Sequence, residues 1–591
     1  MNTPPTFYYQ ELVQRKPPLP RLTFLILLPL LCAGSLASAQ GLIVEPADII
    51  VVHGRVYTQN PKQPWAQAVA IRGAKIVAVG NDPEIERMRG MGTKVVNAGG
   101  KLVLPGFVDC HIHFFEGSMK LAWVHLEDAK NLSDIRAKLR AYAAQNPGDG
   151  WILGIGWNYG MFGPDKLPDK KDLDDLFPNR PVSLGAFDGH TFWANSKALA
   201  LAGITRDTPD PPNGNIVRNQ ATGEATGALK ESATDLVRRV RPPITRPEKL
   251  LALRAGMKWA NENGLTRVHA AGGHYESGDF EDLELYDEMR KRGDLSLRVQ
   301  SAYFLDPPAL RPQDLDAIEH ARKKYANDWL SAGVVKLRLD GVIESHTAAM
   351  LEPYSDAPSL KGALFWEPDK YKAAVAELDK RGFQLFTHAI GDSAVRTALD
   401  AYENAAARNH KRDHRPRIEH IETVSAADIP RFANLGVIAS MEPLHSYPDA
   451  DTLEVWAHNI GPDRASRAWA WKSISDACGH LAFGSDWPVV TLNPWEGIQT
   501  AVTRQTADGK PENGFLPEQR LTVAQAIEAY TLGAAFAGRH EKTEGSLEVG
   551  KLADVIVVSQ NVLEIVPRKI AATKVLTTIV GGKIVYQSET K

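Results

Sequence analysis

The most informative stretch of this chain is Val103-Leu-Pro-Gly-Phe-Val-Asp-Cys-His-Ile-His113. Its apolar run is typical of a buried β-strand, and both histidines stand where that strand ends. Residues two apart in a strand point to the same side, so His111 and His113 are expected to emerge together. Neutral imidazole is a common ligand for Zn²⁺ and similar ions. The stretch is the start of a metal site if further ligands follow along the chain, and an incidental pair of histidines is the alternative.

Short apolar segments recur through the middle of the chain, with helical stretches between several of them. The strand candidates are 265–270, 333–339, 383–388, 417–420, 437–441 and 480–484. This alternation is the pattern of parallel β/α units. Over several hundred residues it predicts an α/β fold with a (β/α)8 TIM-like barrel, whose active site lies at the C-terminal ends of the strands. A doubly wound open sheet is the alternative.

The two ends of the chain carry a different pattern, with short β-branched segments punctuated by glycine. Val52-His-Gly-Arg-Val-Tyr57 near one end resembles Val580-Gly-Gly-Lys-Ile-Val-Tyr586 near the other. We therefore predict one small β-sandwich built from both ends. The predicted organisation is a signal peptide at 1–39, a first part of the sandwich at 40–100, the barrel at 101–540 with a subdomain inserted at about 120–247, and the rest of the sandwich at 541–591.

The first residues show the order of a secretory signal. Arg15, Lys16 and Arg21 precede a mostly apolar run from Leu22 to Leu31, which Ala37-Ser-Ala39 follows. A basic region, a short apolar region and small residues at a cleavage site make up such a signal. We predict cleavage after Ala39 and a secreted or periplasmic protein with no stable membrane anchor. The apolar run is short for a bilayer span, and a retained N-terminal anchor is the alternative.

The composition is that of an ordinary globular protein. The chain has 591 residues, 43% of them hydrophobic and 24% charged, with a formal net charge of −3. It contains no block rich in lysine or arginine, which disfavours a nucleic-acid partner. The expected partner is a small-molecule substrate. The sequence does not predict the oligomeric state.

Further polar residues follow the later strand candidates. His388 and His420 end their strands, and Asp486 comes just after the last one. Lys336 lies inside its strand, where an outward-facing lysine is the alternative. A lysine inside the barrel is desolvated, which lowers its pKa and leaves a neutral amine that can react with CO₂ to form a carbamate. Independent structural residues have no reason to fall in this order on successive β/α units, so together they predict one metal centre at the barrel mouth.

These motifs resemble those of the metal-dependent amidohydrolase superfamily. The resemblance rests on Leu104-Pro-Gly-Phe-Val-Asp-Cys-His-Ile-His113, Val335-Lys-Leu337, Thr387-His-Ala-Ile-Gly-Asp392, Ile418-Glu-His420 and Gly484-Ser-Asp486. The segment from Gly545 to Val557 is similar to the superfamily's closing sandwich segment. Within the superfamily, the segments from Arg180 to His190 and from Asn195 to Leu199 resemble the branch of N-substituted formamide deformylases, amidohydrolase family 3.

The resemblance implies a role for each of the site residues. His111 and His113 would hold one metal and His388 and His420 a second, carboxylated Lys336 would bridge the two, and Asp486 would contact the first metal and shuttle protons. Members with a single metal need no carbamate, which is the alternative for Lys336. Nitrogen ligands with few carboxylates suit Zn²⁺, so one or two zinc ions are the expected cofactor. Mn²⁺, Co²⁺ and Fe²⁺ are the alternatives.

The predicted activity follows from such a centre. A metal lowers the pKa of bound water, and the resulting hydroxide would attack a substrate carbonyl while Asp486 passes the proton to the leaving nitrogen. We predict hydrolysis of the C–N bond of a small amide, N-acyl or N-formyl substrate. The alternatives are an esterase, lactonase or cyclic-amide hydrolase using the same site, and a non-catalytic periplasmic metal- or ligand-binding protein. His190, Trp157 and His445 are candidate substrate contacts, with a structural role as the alternative for each.

Overall fold

Eight parallel strands form the central sheet of the computed structural model, which describes residues 45–162, 167–186, 191–212, 214–272, 280–305, 307, 309–409 and 413–589. In chain order they are β1 (Phe107–Ile112), β2 (Leu265–Ala270), β3 (Arg298–Leu305), β4 (Leu330–Arg338), β5 (Gln384–Ala389), β6 (Arg417–His420), β7 (Ile438–Met441) and β8 (His480–Phe483). Their order in the sheet follows their order in the chain. A doubly wound sheet reverses its strand order at a switch point, and this sheet does not.

The sheet closes where the end of β8 meets the end of β1. Gly484 lies so close to the backbone of His111 that a Cβ atom at position 484 would stand 2.5 Å from the His111 nitrogen. Two residues later, the backbone N–H of Asp486 donates to the carbonyl of His111 over 2.7 Å. The predicted (β/α)8-type barrel is confirmed, and its closure brings the first and last predicted site residues side by side.

Helices cover the outside of the barrel. The helix at Pro368–Lys380 has proline in its first turn, where no backbone N–H is needed, and buries one face including Tyr371, Val375 and Leu378. The other helices after β1 and outside the inserted subdomain are Phe114–Lys120, Arg246–Glu262, Glu281–Arg292, Pro312–Lys324, Asp392–Asn409, Ile429–Leu435, Ala457–Ile460, Pro462–Ala465, Trp471–Asp476, Pro494–Thr503, Val523–Ala529 and Leu532–Ala537.

Both ends of the described chain build two sheets that pack face to face. The four-stranded sheet contains Lys75–Gly80, Ala68–Arg72, Ala47–Val52 and Arg89–Asn97, and the six-stranded sheet contains Lys583–Gln587, Val575–Val580, Val555–Val558, Leu102–Pro105, Arg55–Tyr57 and Trp65–Ala66. Val555–Val558 pairs with Leu102–Pro105 in antiparallel register, so the two ends share a sheet. Val51 and Val69 of one sheet pack with Val103 and Val557 of the other. The sandwich predicted from both chain ends is therefore present.

An inserted subdomain lies between β1 and β2 in the chain. Its six-stranded sheet contains Gly214–Arg218, Ala225–Glu231, Thr191–Ala194, Val182–Ala186, Ile152–Trp157 and Val124–His125. The associated helices are Leu132–Gln145, Lys171–Asp174, Ser196–Leu201 and Thr234–Arg238. The subdomain has apolar cores of its own, one of which contains Ile135, Leu139 and Leu184.

Two buried ion pairs join the barrel interior to the C-terminal segment. Arg267 on β2 donates two hydrogen bonds to Glu544, at 2.7 and 2.6 Å. Arg298 on β3 donates two to Asp554, at 2.7 and 3.0 Å. Removing one partner of such a pair costs about 3–5 kcal/mol, because it leaves an uncompensated buried charge. Loss of either partner should therefore destabilise the junction between the barrel and the sandwich.

The predicted signal peptide falls on residues outside those described, so cleavage and export stay predictions. In the described part of the chain, none of the helices has the length and apolar character needed to cross a membrane.

Candidate metal centre

The predicted site residues meet at the C-terminal ends of the barrel strands. His111 lies in β1 and His113 directly follows it, while His388 and His420 lie at the ends of β5 and β6. Asp486 follows β8. One potential ligand atom each from His111, His420 and Asp486 lie within 4.8 Å of one another. The rings of His388 and His420 are also neighbours, with centroids 4.5 Å apart.

Hydrogen bonds fix which nitrogen of each imidazole is free. Nδ1 of His111 lies 2.6 Å from Glu419, Nδ1 of His420 lies 2.8 Å from Glu442, and Nδ1 of His113 lies 3.2 Å from the carbonyl of Gly272. These oxygens accept, so each Nδ1 carries the proton and each Nε2 keeps its lone pair. Such carboxylate– or carbonyl–histidine pairs orient metal ligands in proteins.

In His388 the proton lies on Nε2 rather than on Nδ1. Its Nε2 lies 3.4 Å from the carbonyl of Gly341, which leaves the lone pair on Nδ1. Burial lowers the pKa of His388 and of His111 well below the usual value, and lowers that of His420 to about 3. All of these imidazoles are therefore neutral near pH 7, which is the form that binds a cation.

Asp486 supplies a negative charge to this cluster. Its Oδ1 lies 3.2 Å from Nε2 of His113 and 3.5 Å from Nε2 of His111. Burial raises the pKa of Asp486, but the nearby His113, His420 and His445 outweigh it and keep the pKa below its usual value. Among the described residues, this buried oxygen has no hydrogen-bond partner. Buried polar atoms are rarely left without a partner, and His111, His113, His420 and Asp486 would satisfy theirs by holding a divalent cation.

Lys336 faces the barrel interior. It is 3% exposed, and its Nζ lies 2.8 Å from Nε2 of His111. Burial lowers the pKa of Lys336, while Glu419, Asp486 and Glu442 oppose that shift. Lys336 therefore does not point outward as in an ordinary alternating strand. Its amine lies among the candidate ligands.

Comparison with known proteins agrees with this geometry. Residues 94–586 match the sequence model of the Amidohydrolase family. The chain belongs to that family. It is 35% identical over 549 residues to Protein LONG AFTER FAR-RED 3 of Arabidopsis thaliana, covering 91% of this chain and 92% of that one. It is 27% identical to N-substituted formamide deformylase of Arthrobacter pascens, covering 92% and 99% of the two chains.

A solved structure supports the same assignment. The crystal structure of an uncharacterised metal-dependent hydrolase from Pyrococcus horikoshii OT3 is similar to this chain with a TM-score of 0.72 and 25% identity, over 88% of this chain and 99% of that one. The chain is thus an amidohydrolase-type hydrolase that depends on a divalent metal.

His445 of this amidohydrolase lies beside the predicted ligands. Its ring stacks on that of His420, with centroids 5.7 Å apart and planes at 7°. Its Nε2 lies 3.7 Å from Oδ2 of Asp486, and its Nδ1 lies 3.7 Å from Glu422. Burial lowers the pKa of His445, but the nearby carboxylates of Glu422, Asp486 and Glu442 outweigh this and raise the pKa to about 9. The structure places His445 beside Asp486, and its role toward a substrate stays a prediction.

The other two candidate substrate contacts have different positions. Trp157 has no exposed surface, and its indole N–H donates to the carbonyl of Leu184 over 3.0 Å within the subdomain core. This is a packing role. His190 lies outside the described residues, so its place relative to the metal centre stays a prediction.

Two residues of the centre, Glu419 and Glu442, were not predicted from the sequence. Glu419 directly precedes His420 and orients His111 across the barrel, whereas Glu442 directly follows β7 and orients His420. Burial raises the pKa of Glu442 to about 8, and His445 opposes that effect. Glu442 carries the same signal as the residues that were found, a polar side chain where an apolar strand ends. Glu419 carries no such signal, because a carboxylate beside a histidine is common.

Proposed function

We propose that this amidohydrolase hydrolyses a C–N bond in a small amide, N-acyl or N-formyl substrate. The observation that carries the proposal is the place of Asp486, with Oδ1 against His111 and His113 and Oδ2 facing His445. A carboxylate so placed can hold a proton for a leaving nitrogen, which an amide needs because an amine anion is a very poor leaving group. The name of the Arthrobacter relative, a formamide deformylase, supports the same bond type.

Different residues would bind the metal, transfer the proton and contact the substrate carbonyl. His111, His113, His388 and His420, with Lys336 as its carbamate, would hold one or two zinc ions. When bound, zinc polarises a carbonyl and lowers the pKa of water. Oδ2 of Asp486 accepts the proton of the attacking water and returns it to the departing nitrogen. Nε2 of His445 donates to the substrate's carbonyl oxygen as negative charge builds on it.

A matched substrate panel tests the bond type. The panel contains an N-formyl amine, an N-acetyl amine, the corresponding ester and a cyclic amide, each with the same aromatic substituent. We expect kcat/KM for one of the open-chain amides to exceed that of the ester and the cyclic amide by at least about tenfold, which corresponds to 1.4 kcal/mol of preference. Turnover of the ester or cyclic amide alone would instead establish the second candidate function. Turnover that survives removal of metal by a chelator would contradict the metal-dependent site.

Replacing His445 with glutamine tests its role toward substrate. We expect kcat to fall about 10²-fold, as is typical when one donor to a developing oxyanion is lost, while metal content stays at the wild-type level. His480→Gln is the matched control, because His480 is exposed at the opposite end of β8 and should retain full activity. Steady-state kinetics and elemental analysis measure both quantities. Wild-type kcat in His445→Gln would remove this residue from the mechanism.

A further inference from the structure

Arg417 is a fully buried cation inside the barrel, in contact with the residues that orient the metal centre. It lies on β6 with 0% exposure. Its Nε and Nη2 each donate to the carboxylate of Glu419 over 2.9 Å, one to each oxygen. This bidentate pairing fixes the plane of the carboxylate as well as its position.

The remaining contacts of Arg417 come from other strands of the barrel. Nη2 donates to the carbonyl of Cys110 on β1 and, over 3.0 Å, to the hydroxyl of Ser440 on β7. Nη1 donates to Nδ1 of His269 on β2 over 3.1 Å. The guanidinium stacks on Phe386 of β5, with Cζ 3.5 Å from the ring centroid. Arg417 is thus held by several strands and has little freedom to move relative to the barrel.

The path from Arg417 to the metal centre is short. Glu419 uses Oε2 both to accept from Arg417 and to accept the Nδ1 proton of His111, over 2.6 Å. We propose that Arg417 is a positioning residue of the metal centre, which acts through Glu419 to fix the ring orientation and the free nitrogen of His111. The inference rests on the proposed metal-dependent function. It assigns to Arg417 the control of how tightly His111 binds its divalent cation.

The opposite side of the centre has no such anchor among the described residues. Glu442, which orients His420, has an Oε1 atom that is buried without a hydrogen-bond partner in the described part of the chain. Nε2 of His388 lies 3.4 Å from the backbone carbonyl of Gly341 and 3.6 Å from Oδ1 of Asp340, and neither group contacts Arg417 through a described hydrogen bond. The effect of Arg417 should therefore fall on the cation held by His111, rather than on the whole site equally.

Cation affinity of the full-length protein tests this inference. Metal is removed with a chelator, and Zn²⁺ is titrated back in competition with a chromophoric chelator. We expect Arg417→Met to bind its tightest Zn²⁺ about 10–100-fold more weakly than wild type, the usual loss when an outer-shell partner of a ligand is removed. Arg417→Lys keeps the charge but not the bidentate geometry, and should lie between the two. The visible spectrum of the Co²⁺-loaded protein should shift in both variants.

Arg298→Met is the matched control. Arg298 is also a buried barrel arginine, pairs bidentately with Asp554, and stacks on Trp329 at 4.6 Å, but its carboxylate partner orients no ligand of the centre. It should keep wild-type Zn²⁺ affinity even if its thermal stability falls. Equal losses of affinity in Arg298→Met and Arg417→Met would overturn the inference, because general destabilisation would then explain both.

The single variant Glu419→Gln covers the case in which Arg417→Met does not fold, and a double-mutant cycle applies where it does. Glu419→Gln alone should lose the same 10–100-fold, approximately, and the double variant Arg417→Met/Glu419→Gln should lose no more than Glu419→Gln, since Arg417 acts through that carboxylate. Additive losses would overturn the proposed path. A wild-type protein that binds no divalent cation would overturn the proposed function itself, whereas intact wild-type binding with unchanged affinity in the variants overturns only the role of Arg417.

Discussion

The Asp486→Asn variant is expected to lose about 10³-fold in kcat while keeping most of its bound metal. Asparagine has the shape of aspartate and retains one oxygen toward His111 and His113, but it cannot take up and return a proton near neutral pH. Loss of general acid–base catalysis by a positioned group typically costs 10²–10⁴-fold, approximately. Steady-state kinetics and elemental analysis of the purified variant give the two quantities.

The backbone conformation at position 486 makes Asp486→Asn a more specific test than Asp486→Ala. Asp486 has a φ of 58°, in the left-handed region, and its N–H donates to the carbonyl of His111 over 2.7 Å. Asparagine tolerates this conformation better than alanine, so Asp486→Ala adds strain where β8 closes on β1. Wild-type turnover in Asp486→Asn would contradict the proton-transfer role. Loss of all metal from this variant would assign Asp486 to metal binding first.

The strand-end residues could be predicted from the sequence because one geometric rule covers them. Parallel strands of a barrel place all their C-terminal ends at one mouth, so a polar residue at such an end is near the others whatever its distance along the chain. His111 and Asp486 are the extreme case, because they are far apart in sequence and yet Nε2 of His111 lies 3.5 Å from Oδ1 of Asp486. The rule needs only the approximate position of each strand.

Strand β3 was not among the strand candidates, and its chemistry explains the omission. Its residues Arg298 and Gln300 are buried inside the barrel, where Arg298 pairs with Asp554 and Gln300 donates to the carbonyl of Gly538. A buried strand is expected to be a run of apolar residues. In β3, the inward-facing polar side chains instead form hydrogen bonds with the C-terminal segment. Those partners cannot be foreseen from the local pattern.

The predicted first strand is two strands in the structure, divided at Gly106. Leu102–Pro105 belongs to the sandwich, whereas β1 begins at Phe107. A Cβ atom at position 106 would lie 2.2 Å from the side chain of Thr266, so the chain passes from sandwich to barrel where only glycine fits. An apolar run by itself does not show such a change of sheet.

The second large effect is expected at Lys336. The amine is buried and lies 2.8 Å from Nε2 of His111. Under the proposed function it would react with CO₂, and its carbamate would supply an anionic oxygen ligand to the centre. The reaction forms an N–C bond and releases one proton. Lys336→Ala removes this ligand and should lower kcat about 10³-fold. A bound cation contributes several kcal/mol to transition-state stabilisation, and each 1.4 kcal/mol corresponds to about a tenfold change in rate.

Metal content with and without bicarbonate separates this role from a purely structural one. If Lys336 carries the bridging carbamate, wild-type protein prepared with bicarbonate should hold two cations and show a carbamate signal after labelling with ¹³C-bicarbonate, and Lys336→Ala should show neither. Lys551→Ala is the control, since Lys551 is half-buried, donates to Glu541, Glu544 and Ser546, and pairs with Glu548 at 3.3 Å, and none of these residues is a candidate ligand. One cation that is indifferent to bicarbonate would instead remove Lys336 from the ligands of a mononuclear site. In that case Lys336→Ala should retain its single metal, because the lone pair of His111 Nε2 is still available to it.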